Sequence, residues 1–434
     1  MSELVSRRAP RGPSSTTVEG LLPGLEVVRK DFPILQRTMS GGLPLVYLDS
    51  ANTSQKPQVV IDAMVDHLER HNANVARAMH QLGAESSEAF EAARDTVAEF
   101  LNAPSRDEVI FTKNASEALN LVANTLAWAT GPLAIGAGDR VVITEMEHHS
   151  NIVPWQLLTE RKGAELRWFG LTDDGQLDLS NLDELITERT KVVSLTWVSN
   201  MLGTINPVAE IARRAHQVGA VLVVDASQAA PQLPVDVQAA GVDFLAFTGH
   251  KVVGPTGIGV LWGREELLDQ LPPFMGGGEM IETVTMERST YARTPHKFEA
   301  GTPPIVEAVG LGAALRYLSD LGMDAIHTHE QAVTGYLLDG LTTVGGVTVL
   351  GPTDPAMRGG AVAFEVEGVH PHDVAQLLDS RGVAVRAGHH CAKPAHKRYG
   401  VQSSTRASSY LYTTPQEIDA LIDALNHTKS YFKV

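Results

Sequence analysis

The chain has 434 residues, 43% of them hydrophobic and 20% charged, with a formal charge of −16 at pH 7. That length exceeds one small core and suits a large α/β domain joined to a smaller one, while the acidity argues against a protein built to coat nucleic acid or an anionic membrane. A single cysteine, Cys391, rules out an intrachain disulfide and a multi-cysteine zinc site, and fits a reducing, cytoplasmic compartment.

The start of the chain, with Arg7, Arg8, Pro10 and Pro13, lacks the apolar stretch of a secretory signal. Residues 1–22 read as a disordered tail, and 23–45 as a segment that packs on the smaller domain. No apolar run is long enough to span a membrane. Residues 55–74 and 85–101 carry apolar positions at helical spacing, with a loop between them at 75–83. Asn114 or Ser116 starts a helix that runs to about Thr130, with Glu117 in its first turn. Strand and helix then alternate. Strands are expected at 140–144, 191–196, 221–224, 244–247 and 259–262, and helices at 150–162 and 208–218. This alternation predicts a mostly parallel sheet between helices, of the seven-stranded type, within a large domain at 46–304. Residues 275–303 read as hairpin or loop. Beyond them, helices near 305–322, 327–343, 371–381 and 415–430 mix with strands near 347–350, 361–366 and 383–386. That mixture predicts a smaller α/β domain at 305–434.

Chemistry-bearing residues fall at the carboxyl ends of these strands, where ligands bind in parallel sheets. Lys251 follows an apolar strand in Thr248-Gly249-His250-Lys251 and precedes a glycine-rich turn, Gly254 to Gly259. A lysine is ordinarily a solvated surface charge. A half-buried one has a lowered pKa and can attack a carbonyl to form an imine. Asp225 ends the run Val221–Asp225; alone it reads equally as a helix cap, but beside Lys251 it suits a pyridinium nitrogen. His148 and His149 follow another strand end, and one imidazole can stack on a cofactor ring and shuttle protons. Capping, core and metal roles are the alternatives for this pair. The stretch Thr112–Glu117 leads into a helix whose first amides can hold a phosphate. Cys391 lies in Arg386-Ala387-Gly388-His389-His390-Cys391-Ala392-Lys393-Pro394. Flanking His389, His390 and Lys393 would favour the thiolate there. A buried small hydrophobe, or a zinc site of His389, His390, Cys391 and His396, are the alternatives. Arg406 is a candidate clamp on a substrate carboxylate, against a plain surface ion pair.

Together these residues resemble the class V aminotransferase family of pyridoxal-5′-phosphate (PLP) enzymes, fold type I, and within it the group II, SufS-type cysteine desulfurases. The resemblance runs from about Asp31-Phe32-Pro33 to the last helix. It is carried by Tyr47-Leu48-Asp49-Ser50-Ala51, Glu147 to Trp155, Gly249 to Gly259, Phe298-Glu299-Ala300-Gly301-Thr302-Pro303, and Arg386 to Cys391. It implies that Lys251 holds PLP, Asp225 pairs with the pyridinium, Gln228 bonds the ring oxygen and His148 stacks on the ring. It implies that Ala115, Ser116, Thr248 and His250 hold the phosphate, with Thr302 doing so from the partner subunit of a homodimer. Asn200 and Arg406 would bind the substrate carboxylate, with Arg386 near the substrate. Cys391 would take sulfur from L-cysteine as a persulfide and release L-alanine, feeding iron–sulfur cluster assembly. No resident metal is implied. Some relatives carry a histidine where this chain has Ala76, just before Arg77, so that loop is given no role. The stretch Val369-His370-Pro371-His372-Asp373 resembles relatives that pass sulfur to a zinc-containing SufU-type acceptor. That favours SufU over a SufE-type acceptor upstream of the SUF scaffold proteins. His372 would then be a partner-dependent zinc ligand, or else a surface histidine at a helix start. Rival readings are a selenocysteine lyase or another amino-acid β-lyase on the same fold, and a non-catalytic sulfur scaffold.

Overall fold

The computed structural model describes residues 18–76 and 79–434. The expected tail lies outside the described residues over positions 1–17, as does Arg77. The central sheet has seven strands: β1 (Val109–Thr112), β2 (Arg140–Thr144), β3 (Glu165–Phe169), β4 (Thr190–Thr196), β5 (Val221–Asp225), β6 (Phe244–Thr248) and β7 (Gly259–Gly263), in the spatial order β1-β7-β6-β5-β4-β2-β3. β7 runs antiparallel to β1 and β6 on either side of it, and the remaining pairs are parallel. The expected mostly parallel sheet is therefore present.

Alternation along the strands explains why this sheet is covered on both faces. In β5, Leu222 and Val224 join one apolar cluster, while Val221 and Val223 join the other. In β6, Leu245 and Phe247 face the first cluster, and Phe244 and Ala246 the second. Successive side chains of a strand point to opposite faces, so two helical layers are needed to bury both sets. Burial of each such Val, Leu or Phe side chain contributes about 1.5–3 kcal/mol. Register then brings strand ends together. Thr196 pairs with Asp225, Asp225 with Ala246, and Thr248 with Gly259.

A second, four-stranded antiparallel sheet comprises β8 (Val347–Leu350), β9 (Ala361–Val366), β10 (Arg386–Gly388) and β11 (Ser404–Ser408), ordered β8-β9-β11-β10. Its core joins Val362, Phe364 and Ala407 to Leu337 of the Met323–Thr342 helix and Ile418 and Leu421 of the Pro415–Phe432 helix. The 23–45 segment bridges two helices: Arg29 pairs with Glu417 at 2.8 Å, and Asp31 accepts from the Tyr317 hydroxyl at 2.8 Å. No helix among the described residues is long and apolar enough to cross a membrane.

Several elements differ from the sequence expectations. The first long helix is Gln58–Asp66, starting after Pro57 and ending in a wider turn at His67–His71. The next begins at Gln81, where His80 Nδ1 accepts from the Gly83 amide at 3.1 Å. Strand 383–386 divides: Val383–Ala384 pairs with Val46–Tyr47, and Arg386 enters the second sheet. Strands β1, β3 and β11 went unanticipated. β1 is three apolar residues and Thr112, too short for a period. β3 is an edge strand with exposed Arg167 and Trp168. β11, Ser-Thr-Arg-Ala-Ser, is buried throughout yet has no apolar pattern. Its polar side chains are held by tertiary partners, which local sequence does not announce.

One buried ion pair fastens the large sheet's edge. Arg94, 1% exposed, donates to both oxygens of Glu299 at 2.7 and 2.9 Å and to the Val109 carbonyl at 2.7 Å. Glu299 also accepts from the Phe111 amide at 2.7 Å. Removing one member of such a pair leaves a buried charge uncompensated. Arg94→Ala is expected to destabilise the fold by about 3–5 kcal/mol, read as a lower urea midpoint.

Candidate active site

One cavity gathers every residue assigned to cofactor, substrate or sulfur except Thr302, while His149, His389, Lys393 and His396 lie outside its lining. It is lined by Ala115, Ser116, His148, Asn200, Asp225, Gln228, Thr248, His250, Lys251, Arg386, Cys391 and Arg406. Thr302 is absent from it. That residue is exposed, lines a neighbouring cleft with Lys113 and Phe274, and is approached by Asn74 Nδ2 at 3.4 Å. A larger cavity of about 860 Å³ lies elsewhere, along Phe90, Arg94 and Arg293, and holds none of these residues.

Strand ends supply the floor. Asp225 is buried at the tip of β5, with Oδ1 accepting from the Ser227 amide at 2.9 Å. Lys251 sits in a single helical turn after β6. Burial lowers its amine to about 8; the Asp225 carboxylate opposes that shift, and charge on Cys391 also raises it. About a tenth of such an amine is neutral at pH 7, against well under a thousandth of a solvated lysine, so far more of it is nucleophilic. His148 caps the turn after β2, its Nδ1 accepting from the Ser150 amide at 3.1 Å. Burial and the Lys251 charge lower it to about 4. A neutral ring accepting at Nδ1 carries its proton on Nε2.

The Ala115–Trp128 helix begins at the cavity wall, and Asn114 Oδ1 caps it by accepting from the Glu117 amide at 2.9 Å. Gly259 permits that approach, since a Cβ there would lie 2.5 Å from Asn114 backbone atoms. First-turn amides and the positive helix end then face the cavity beside Ser116 and Ser150, whose hydroxyls are 2.5 Å apart.

The second sheet supplies the opposite wall. Arg406, 2% exposed on β11, pairs with Asp49 Oδ1 at 3.1 Å and donates to the Asn200 carbonyl at 2.8 Å. It is thus no surface ion pair. Arg386 on β10 donates to Asn52 Oδ1. Cys391 and His390 both adopt left-handed backbone, with φ of 54° and 49°. Non-glycine residues there cost about 1–2 kcal/mol each. Tertiary bonds hold the strained turn: the Cys391 carbonyl accepts from the His149 amide at 2.9 Å, and the His390 carbonyl from Asn200 Nδ2 at 2.5 Å. The His390 and His396 Nε2 atoms both bond Ser404 Oγ, each at 3.0 Å. Among the described residues no group of three or more potential ligands is arranged for a metal ion.

Unspent hydrogen-bonding capacity shows what the cavity accommodates. Gln228 Oε1, Thr248 Oγ1 and Arg406 Nε are buried without partners. Gln228 is already fixed through Nε2 to the Ala51 carbonyl at 2.7 Å, leaving Oε1 for a ring hydroxyl. Thr248 and the helix start suit a phosphate, and Arg406 a carboxylate. A phosphorylated pyridine with an aldehyde for Lys251 therefore fits the donor set. Asp49, Asn52, Ser150 and Glu147 were not assigned roles from the sequence, although all but Asn52 fall within the quoted motifs. Glu147 lies under the site, pushed up to about 8 by burial, and accepts from Thr144 Oγ1 and Asn151 Nδ2, both at 2.6 Å.

Comparison with known proteins places these features in a family. The aminotransferase class-V family model matches residues 46–421. A probable cysteine desulfurase of Streptomyces coelicolor is 63% identical over 95% of this chain and 99% of its own. A cysteine desulfurase of Haloferax volcanii is 47% identical over 94% and 97% of the two chains. Among solved structures, the apo cysteine desulfurase of Thermococcus onnurineus superposes with a TM-score of 0.88 at 38% identity, covering 96% of this chain and 99% of that one. A cysteine desulfurase of Escherichia coli gives 0.86 at 34%, covering 94% and 99%.

Proposed function

The chain belongs to the aminotransferase class-V family, and from that premise we propose that it is a PLP-dependent cysteine desulfurase that converts L-cysteine to L-alanine and takes the sulfur onto Cys391. The observation that carries this reading is the meeting of Lys251, Asp225 and Cys391 in one cavity. When bound, PLP supplies an electron sink for charge developing on the substrate carbon that bears the amino group. Lys251 would hold the group covalently, and its amine, when free and neutral, would take the proton from that carbon. Asp225 would pair with the ring nitrogen and hold it protonated, and His148, neutral, would stack on the ring and offer its Nε2–H as a hydrogen-bond donor. The Arg406 and Asn200 side chains hold the substrate carboxylate, with Arg386 beside them. The Cys391 sulfur attacks the substrate sulfur. An S–S bond forms, the C–S bond breaks, and its electron pair stays with the three-carbon fragment, which takes up protons and leaves as alanine.

The test is the visible absorption of the purified protein before and after L-cysteine, with alanine measured. A yellow protein whose spectrum shifts and that forms alanine supports the assignment. A colourless protein that stays inert after addition of PLP removes it.

A homodimer completes the site in this reading, with Thr302 serving the other subunit's phosphate. Its exposure outside its own cavity supports that role. So do the exposed apolar side chains Val284, Met286 and Tyr291 around the Ile281–Tyr291 hairpin, which offer a face for a second copy. Sulfur leaves for iron–sulfur cluster assembly in the cytoplasm through a SufU-type acceptor. His372 is exposed in the first turn of the Pro371–Asp379 helix, whose Pro371 carbonyl lies 3.5 Å from Thr405 Oγ1, next to Arg406. His372→Ala is expected to lose most of the turnover gained by adding a zinc-containing SufU-type protein, with basal turnover kept. Unchanged stimulation removes the zinc-ligand role.

A further inference from the structure

Four donors converge on the backbone carbonyl just before Lys251. The His250 oxygen accepts from the Ser54 amide at 3.0 Å, Ser54 Oγ at 3.0 Å, Thr53 Oγ1 at 3.1 Å and Lys56 Nζ at 3.0 Å. A carbonyl oxygen has two lone pairs, so the four donors share it, but together, with one of them charged, they tie residues 53, 54 and 56 to this one point. The same segment grips the other side of Lys251. Ser54 Oγ accepts from the Val253 amide at 3.0 Å. Val253 needs that grip, because its φ of 52° is a genuine outlier for a β-branched residue.

Among the described residues, Lys56 pairs with no carboxylate. Burial alone lowers its amine to about 8, with no carboxylate acting to raise it. Its remaining contacts are the Ser54 carbonyl and Ser54 Oγ. A half-buried ammonium held only by carbonyl and hydroxyl oxygens is poor value as a stability device, since burial is uncompensated by a counter-charge. Its position is better explained by what it holds.

We infer that Lys56 is a positioning residue for Lys251: with Thr53 and Ser54 it locks the 250–253 turn, and so fixes where the Lys251 amine stands. This rests on the reading of Lys251 as the cofactor-holding amine. The 53–56 segment is itself anchored away from the site, by the Gln55 amide donating to the Tyr412 hydroxyl at 3.0 Å. Removing the Lys56 ammonium would let the turn shift without removing any group that touches cofactor or substrate.

The test compares wild-type holoenzyme with Lys56→Met and Lys56→Arg by PLP content, visible circular dichroism of the bound PLP, kcat and KM. Visible dichroism reports how the cofactor sits in its chiral surroundings, independently of turnover. Lys56→Met is expected to bind PLP fully, change the visible band, lose roughly tenfold or more in kcat and keep KM for cysteine within about twofold. Lys56→Arg restores band and kcat in part. A Lys56→Met protein with wild-type dichroism and kcat overturns the inference, as does a kcat loss that only tracks lost PLP. Should Lys56→Met not fold, Ser54→Ala removes another donor to the same carbonyl and is read the same way. A wild type that binds PLP but forms no alanine would sink the desulfurase reading, while the dichroism comparison still decides the hold on Lys251.

Discussion

Lys251→Ala is expected to lower cysteine turnover by on the order of 10⁴-fold or more, because one residue serves as both covalent anchor and proton acceptor. Among the described residues it is the only lysine lining the cavity, so no neighbour is placed to replace it. The variant should still bind PLP through the Ser116, Thr248 and Asp225 wall, but hydride reduction should no longer fix the cofactor to the chain. Turnover within tenfold of wild type would remove Lys251 from the chemistry. The wild-type amine also has a pH signature. Burial lowers it to about 8, so its neutral, nucleophilic fraction rises with pH until about that value. Recapture of PLP by apoprotein should quicken roughly fiftyfold from about pH 6 to about pH 8 and then flatten. A solvated lysine would keep accelerating to about pH 10. Continued acceleration beyond pH 9 would show that the amine is not desolvated.

Cys391→Ala is expected to cut alanine formation from cysteine by roughly 10²–10³-fold while leaving the spectral response to cysteine intact. The Arg406, Asn200 and Lys251 groups that bind and activate substrate are untouched by the change. The sulfur acceptor alone is lost. Mass spectrometry of the wild type after one turnover should find an added sulfur on Cys391 and on no other residue. If the variant still cleaves selenocysteine, the cavity supports both reactions and only desulfuration needs the thiol. Full desulfuration without Cys391 would end the persulfide mechanism. The variant should fold, since residue 391 is half-buried and its turn is held mainly by backbone groups and Asn200.

The sequence alone determined the chemistry of the floor. Apolar runs that stop at a polar residue encode buried strands and their ends, so Asp225 and the Lys251 turn were legible as strand-end groups before any pairing was known. Asn114 before an amphipathic stretch likewise encodes a helix start, and with it an anion site. A lone cysteine in a glycine- and proline-marked loop could be read as chemistry rather than core. Tertiary structure decided what these groups touch. Asp49 meets Arg406 and Asn52 meets Arg386 across more than 300 residues of chain, and no local period encodes such a pairing. Strand β11 reads as polar loop because its buried Ser, Thr and Arg are satisfied only by distant partners. The left-handed backbone at His390 and Cys391, and the hold of Lys56 on the His250 carbonyl, are equally invisible to spacing. Both arise when separate segments close on one point, where the energy of many fixed contacts overrides what each segment would prefer by itself.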